Sequence, residues 1–122
     1  MTATSGRPAY AVGYLRDVAP VPQVAEYIER IEATMAPFGG EWLVHGSSLV
    51  PLEGTWTGAL VVIRFPSLEA ARQWWDSPAY REIAPLRTDH SDSMVCLVEG
   101  VPQGYLAATT AAALRSQLAV AT

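Results

Sequence analysis

Residues 53–87 read EGTWTGALVVIRFPSLEAARQWWDSPAYREIAPLR and contain the clearest structural signals of the chain. The run Ala59–Phe65 is mostly apolar and partly β-branched, which predicts a buried strand that the following proline ends. Ser67 can begin a helix at once, because its hydroxyl accepts a backbone N–H bond at the helix start. Ser77, followed by another proline, repeats this signal for a second helix. We expect Pro85 to limit that helix to about two turns.

The residues before this segment predict two strands and one long helix. Side chains alternate between two faces over Tyr10–Arg16, which indicates a first strand. Apolar residues recur at helical spacing from Val24 to Phe38 and predict a helix of about four turns, which the glycine pair at 39 and 40 ends. A second strand is predicted over Glu41–His45. Residues 46–58 are rich in Gly, Ser and Pro, so we expect a long connection there.

After residue 87, Met94–Val98 is predicted to form the fourth strand, and an Ala-rich helix follows from Leu106. This helix can dock on its own subunit, reach over a partner, or fray. The order β-α-β-β-α-β predicts an α+β, ferredoxin-like fold with a four-stranded antiparallel sheet and an extra C-terminal helix. The predicted organisation is a flexible N-terminus (1–9), one domain (10–101) and a helical extension (102–122).

Composition limits the functional classes. The chain has 122 residues, 50% hydrophobic and 16% charged, which is typical of one folded domain. Its net charge is -4 and its eight basic residues are scattered arginines, which argues against nucleic-acid binding. No signal peptide or membrane-spanning stretch is recognisable, so we expect a cytoplasmic protein that does not associate with membranes. Cys96, the one cysteine, is expected to pack in the core. No residue spacing indicates a metal site.

Two helices cover only one face of a four-stranded sheet, so the other face is left open. The high apolar content is consistent with burial of that face against a second copy of the chain. We therefore expect a homodimer in which two sheets meet face to face.

Several short motifs, taken together in their order and spacing, resemble the family known as domain of unknown function 1330. They are GGEWLV (39–44), LEG (52–54), VIRFPS (62–67), AARQWWDSPAY (70–80), LR (86–87) and VEG (98–100). The resemblance covers residues 10–101 and implies the dimeric α+β barrel fold. The wider superfamily includes small polyketide cyclases, lactone isomerases, cofactor-independent quinone-forming monooxygenases, haem-degrading enzymes and ligand-sensing domains. Two features depart from the family pattern: His45 stands where many members place Arg, and the tail after Val101 is longer.

Two histidines are candidates for proton transfer. His45 follows the second strand and borders the long connection, where an imidazole can accept and return protons near neutral pH. The alternative is a polar residue at a strand end. His90 lies between Asp89 and Asp92, and a carboxylate can orient its ring as in a general base. The alternative is a solvated loop.

Arg87 and Tyr80 are seven residues apart and can share a helix face if Pro85 allows it. An Arg can bind a carboxylate or enolate oxygen with two parallel N–H bonds, and a Tyr hydroxyl can polarise a carbonyl. The alternative for Arg87 is a structural ion pair with Glu53 or Glu82. Glu53 is itself a candidate acid or base, or else an ordinary carboxylate in a surface turn.

Aromatic residues can form the walls of a pocket for a flat ligand, or can simply fill the core. The candidates for substrate contact are Tyr14, Trp42, Trp74 and Trp75, with Trp56 nearby in the long connection.

The leading hypothesis is a cofactor-independent enzyme that transfers protons on a small aromatic or polyketide-like molecule, of the cyclase, isomerase or monooxygenase-like kind. His45 is the expected base, Arg87 the anchor for an acidic oxygen, and no cofactor is expected. The alternatives are a non-catalytic small-molecule-binding dimer and a protein-interaction module.

Overall fold

The structure is a computed structural model that describes residues 6–120. Its strands are β1 (Ala9–Arg16), β2 (Glu41–Val44), β3 (Ala59–Phe65) and β4 (Asp92–Glu99), and its helices are α1 (Pro22–Met35), α2 (Leu68–Asp76), α3 (Pro78–Thr88) and α4 (Ala107–Val120). A short 3₁₀ turn over Ala36–Phe38 ends α1. The predictions for residues 1–5 and 121–122 lie outside the described residues.

The four strands form one antiparallel sheet in the order β2-β3-β1-β4. This order is that of the ferredoxin-like fold, so the predicted fold class is confirmed. In the centre of the sheet, Ala11 pairs with Ile63 on one side and with Leu97 on the other. The helices α1, α2 and α3 cover the face on which these three residues lie.

The core lies between that sheet face and the three helices. Its buried hydrophobic residues are Ala9, Ala11, Ile31, Met35, Ile63, Phe65, Ala71, Trp74, Tyr80 and Ile83. The odd-numbered residues of β1 face this core because side chains alternate along a strand. Small side chains at these positions leave room under the helices.

The predicted helix starts are confirmed. Ser67 Oγ accepts from the backbone N–H of Ala70 at 3.1 Å, and Ser77 Oγ accepts from that of Tyr80 at 3.3 Å. Each bond satisfies an amide that has no acceptor within its own helix. Together the two caps turn the chain sharply between α2 and α3.

The prediction that Pro85 limits the second capped helix to two turns is wrong, because α3 has 11 residues and Pro85 lies inside it. A proline removes only its own N–H, which would have bonded to the carbonyl of Arg81. Both Pro85 and Arg81 are exposed, so water can reach that side of the helix. The uninterrupted helix keeps Tyr80 and Arg87 on one face.

The opposite sheet face is open and largely apolar. Residues on it include Val12, paired with Val62 and Cys96, and the exposed Met94 and Val98. The prediction that Cys96 packs in the core is therefore wrong, because alternation along β4 places its side chain on the face away from the helices.

The C-terminal helix α4 lies apart from the rest of the chain. All of its residues are exposed, so it does not dock on its own subunit. None of the helices among residues 6–120 has the length and apolar character needed to cross a membrane.

Candidate functional site

A cavity of about 260 Å³ lies between the sheet and the helices α1 and α3. Its floor consists of small or aliphatic residues of β1 and β3, and its polar side chains are few. The side chains that carry hydroxyl, imidazole or guanidinium groups in its lining are Tyr27, His45, Tyr80, Arg87 and Ser91. Two indole rings, those of Trp42 and Trp74, complete the walls.

Gly13 helps to leave this space open. A Cβ atom built on Gly13 would meet no heavy atom closer than 3.7 Å, so the backbone there does not require glycine for steric reasons. The missing side chain therefore adds to the empty volume above β1.

Arg87 extends from the last turn of α3 and is buried, with 6% of its surface exposed. Its Nη1 donates to Ser93 Oγ at 2.6 Å, and its Nη2 donates to the Tyr80 hydroxyl at 3.3 Å. Its Nε is buried and has no hydrogen-bond partner among the described residues. The guanidinium is thus held at one end of the cavity by neutral hydroxyl groups alone.

Within residues 6–120, no carboxylate lies within ion-pair distance of Arg87. Glu82 pairs with Arg30 on the surface instead, and Glu53 lies in the exposed connection between β2 and β3. The structural ion pair considered for Arg87 is therefore not formed. Burial lowers the pKa of Arg87, but the nearby oxygens of Tyr80 and Tyr27 outweigh this and raise it. The side chain stays charged.

Tyr27 is a member of the site that sequence reasoning missed. Its hydroxyl lies 2.8 Å from that of Tyr80, and the Arg87 guanidinium carbon lies 5.7 Å from the centre of its ring. Burial, followed by the neighbouring Tyr80, raises the pKa of Tyr27 well above its usual range. The only signal in the sequence was a hydroxyl group within the otherwise apolar stripe of α1.

His45 also lines the cavity, but at an exposed position just after β2. Its ring centre lies 4.4 Å from that of Trp42, whose Nε1 donates to Glu32 at 2.9 Å. His45 follows β2, and Arg87 bonds to Ser93 of β4. These two strands are the edges of the sheet, so three strand spacings of about 4.8 Å put roughly 14 Å between them. The two residues thus approach the cavity from opposite edges.

The two neighbouring tryptophans of α2 differ in position. Trp74 lines the cavity and donates its Nε1 to Thr34 Oγ1 at 3.0 Å, so its indole has no free donor. Trp75 is outside the lining, where its ring lies 5.1 Å from that of Tyr80 and 5.4 Å from the Arg81 guanidinium carbon.

Three other predicted site residues do not line the cavity. Tyr14 lies on the open sheet face, where its hydroxyl accepts from the backbone amides of Thr57 at 2.8 Å and Gly58 at 2.9 Å. The side chain of Thr57, as a hydrogen-bond donor, is the largest cause that lowers the pKa of Tyr14, and the two backbone bonds contribute less. Glu53 contacts Trp56 through its carbonyl, which accepts from the indole N–H at 2.9 Å. His90 lies after α3 and accepts from the Ala19 amide through its carbonyl at 2.8 Å.

Candidate metal ligands are scattered over the part of the chain that the structure describes. No three His, Cys, Asp or Glu side chains are grouped there as a metal ion would need.

Residues 8–101 match the family described as domain of unknown function (DUF1330). The chain belongs to this DUF1330 family. All the cavity residues named above lie inside the matched range, whereas α4 lies beyond it. A search of the curated proteins found no match to this DUF1330 chain.

Three solved structures resemble this DUF1330 chain. The RPA0582 protein of unknown function from Rhodopseudomonas palustris is 19% identical, with a TM-score of 0.59 over 79% of this chain and 84% of that one. The cofactor-independent oxygenase SnoaB from Streptomyces nogalater is 16% identical, with a TM-score of 0.53 over 84% and 98%. A dimeric ferredoxin-like protein of unknown function from Thermobifida fusca is 18% identical, with a TM-score of 0.55 over 83% and 97%.

At these identities the likeness shows a shared fold and nothing finer. The DUF1330 chain therefore shares its fold with one oxygenase that needs no cofactor and with proteins of unknown function, at least one of which is dimeric.

Proposed function

We propose that the protein is a cofactor-independent enzyme that transfers protons on a small aromatic or polyketide-like molecule with an acidic oxygen. The observation that supports this most strongly is the buried Arg87 cation, which has no counter-charge among the described residues and lies at one end of an apolar cavity.

A buried charge without a partner is costly, and evolution can place it there for a ligand that supplies the opposite charge. Around Arg87 the described residues provide only neutral hydroxyl groups. A carboxylate, phenolate or enolate oxygen would complete this arrangement with charge-assisted hydrogen bonds. The apolar walls would hold the rings of the same molecule.

His45 is proposed as the base, because its imidazole is the general-base group found among the described residues that line the cavity. Its exposed position lets the proton exchange with water. In the proposed step a C–H bond breaks, the proton goes to an imidazole nitrogen, and the electron pair moves through the conjugated rings to an oxygen beside Arg87.

Different outcomes can follow from this same anion. Return of the proton to another carbon gives an isomerase. Attack of the carbanion on a carbonyl of the same molecule breaks the C=O π bond, and the resulting alkoxide takes the proton back from His45, which gives a cyclase. With molecular oxygen as a co-substrate, one oxygen atom enters the product as a quinone carbonyl and the other leaves as water, which is the monooxygenase-like outcome. The fold shared with the oxygenase SnoaB supports including this monooxygenase-like outcome in the proposal.

His45 and Arg87 approach the cavity from opposite edges of the sheet, and this separation favours an elongated, fused-ring ligand. Trp42 and Trp74 are proposed as its walls, and Tyr80 as the hydroxyl that holds Arg87 beside its oxygen, because all three line the cavity. Glu53, Tyr14, Trp75 and His90 have no part in the proposed site, since they line other surfaces.

Homodimerisation through the open sheet face is part of the proposal. The face is apolar and exposed in one chain, and the Thermobifida fusca neighbour is dimeric. Val12→Lys, in the middle of this face, should give a folded monomer by light scattering, whereas Ala33→Lys on exposed α1 should leave a dimer. A monomeric wild-type protein would contradict this part.

The catalytic proposal can be tested with anthrone, whose acidic CH₂ group and carbonyl lie on opposite sides of its middle ring. Under nitrogen in D₂O, the protein should accelerate deuterium uptake at the CH₂ group, measured by NMR. His45→Ala and Arg87→Met should each reduce this acceleration at least tenfold. In air, the same reaction should yield anthraquinone and water if the protein is monooxygenase-like.

The alternatives make different predictions in this experiment. A non-catalytic binder would bind anthrone saturably and leave its exchange rate unchanged. An interaction module would show neither binding nor exchange. Trp75→Phe is a suitable control, because Trp75 is outside the cavity lining, and it should exchange anthrone at the wild-type rate.

A further inference from the structure

The hydrogen-bond arrangement at the Arg87 end of the cavity leaves one phenolic hydrogen without an acceptor. Tyr27 and Tyr80 each have one hydroxyl hydrogen, and their oxygens lie 2.8 Å apart. One hydrogen forms that bond. Arg87 cannot accept the other, because a guanidinium only donates. No further acceptor for either hydroxyl is found among residues 6–120.

The surroundings decide which tyrosine carries the remaining hydrogen. The Tyr80 oxygen already accepts from Arg87 Nη2, and Tyr80 is 1% exposed. If Tyr27 donated to Tyr80, the Tyr80 hydrogen would be buried without an acceptor, which is costly. If Tyr80 donates to Tyr27 instead, the remaining hydrogen belongs to the half-buried residue of the pair. Tyr27 also lines the cavity.

We propose that Tyr27 donates a second hydrogen bond to the ligand oxygen beside Arg87, at the end of a series of donors that runs from Arg87 through Tyr80 to Tyr27. This inference rests on the proposed function, because it adds a donor to the oxygen site of the same cavity. It also narrows the ligand class. The group bound there is a carbonyl, enolate or carboxylate oxygen that accepts hydrogen bonds, and a ligand ammonium group is disfavoured because it cannot accept them.

Two features suit Tyr27 to this role. Donors in series polarise one another, so a hydroxyl at the end of a chain that begins at a cation is a stronger donor than an isolated phenol. Burial also keeps its proton in place, since the pKa of Tyr27 is raised far above neutral pH. The residue therefore donates a hydrogen bond and does not give up its proton.

Two ligands of nearly the same shape test this assignment. Anthrone has one carbonyl oxygen, whereas 9,10-dihydroanthracene carries CH₂ in its place. Quenching of tryptophan fluorescence can report binding, because Trp42 and Trp74 line the cavity. The wild-type protein should bind anthrone more tightly. Tyr27→Phe should weaken anthrone binding about five- to tenfold and leave dihydroanthracene binding unchanged.

The Tyr80→Phe variant tests the order of the donors, in which Tyr80 precedes Tyr27. The Tyr80 oxygen does not contact the ligand in this proposal, so the variant should weaken anthrone binding less than Tyr27→Phe does. A larger effect of Tyr80→Phe, or an equal affinity of the wild type for both ligands, would overturn the inference. Arg87-dependent exchange of anthrone that is insensitive to Tyr27→Phe would overturn the inference while leaving the proposed function in place. If the wild type bound neither ligand, both would fail.

Discussion

The Arg87 guanidinium donates to the Tyr80 hydroxyl at 3.3 Å across two turns of α3, although Pro85 lies between the two residues. The hydroxyl groups of Tyr80 and Ser93, which accept these bonds from Arg87, carry no negative charge. Among residues 6–120 Arg87 therefore has no counter-charge, and in our account the bound ligand supplies one.

Replacing Arg87 by Met should leave the free energy of unfolding unchanged or raise it by up to about 2 kcal/mol, because the change removes an unpaired buried charge. Arg87→Lys is the comparison, and it should be less stable than Arg87→Met because it keeps a buried charge and loses the planar donors. Urea unfolding measures both. A loss of about 3 kcal/mol or more in Arg87→Met would instead indicate a structural role.

Tyr27→Phe should change how stability depends on pH. Because burial raises the pKa of Tyr27 in the folded protein, the unfolded chain loses this proton first, near pH 10. The stability contributed by the protonated phenol is complete below that pH and is lost as the pH rises through it. The wild-type free energy of unfolding should fall more steeply above pH 10 than that of Tyr27→Phe, by up to about 1.4 kcal/mol per pH unit.

Urea unfolding at pH values between 8 and 11 tests this difference. Tyr105→Phe, at an exposed tyrosine, is the control and should follow the wild type. Parallel curves for the wild type and Tyr27→Phe would contradict the burial of this hydroxyl.

Thr34→Val should destabilise the fold by about 1–3 kcal/mol, because it removes the acceptor of the buried Trp74 Nε1–H while keeping the shape of the side chain. Thr34→Ser keeps the hydroxyl and should lose less. Thermal or urea unfolding followed by tryptophan fluorescence measures the difference, and equal stability of the two variants would show that this bond contributes little.

Gly13→Leu should reduce the affinity for anthrone more than tenfold, because the added side chain extends into the cavity. Gly13→Ala adds one carbon in an open position and should raise the free energy of unfolding by about 0.5–1 kcal/mol, since glycine is unfavourable in a strand. Unchanged anthrone affinity in a folded Gly13→Leu variant would place the binding site elsewhere.

The fold could be predicted from the sequence because its signals are local. Caps at Ser67 and Ser77 and the apolar run of β3 each act within a few residues, and the order of the elements then restricts the sheet topology. The Pro85 prediction failed because the effect of a proline inside a helix depends on whether water reaches the freed carbonyl, which is a tertiary property.

The site could be predicted only in part. Arg87 and Tyr80 share one helix, so their spacing indicated a contact. Tyr27 belongs to α1, and its approach to Tyr80 depends on how α1 packs against α3. Alternation along β1 predicts that Tyr14 and Gly13 lie on opposite faces of the sheet. It does not predict which face the helices cover, so Tyr14 is predicted to lie in the site and Gly13 is not.

Titration of the protein with 2-naphthoate tests the central claim most directly, that Arg87 binds the acidic oxygen of a ligand in the cavity. Isothermal calorimetry should show one molecule bound per chain, with an affinity at least tenfold higher than that of Arg87→Met. The uncharged 2-naphthalenemethanol should bind the two proteins nearly equally. Equal affinity of wild type and Arg87→Met for 2-naphthoate would contradict the account.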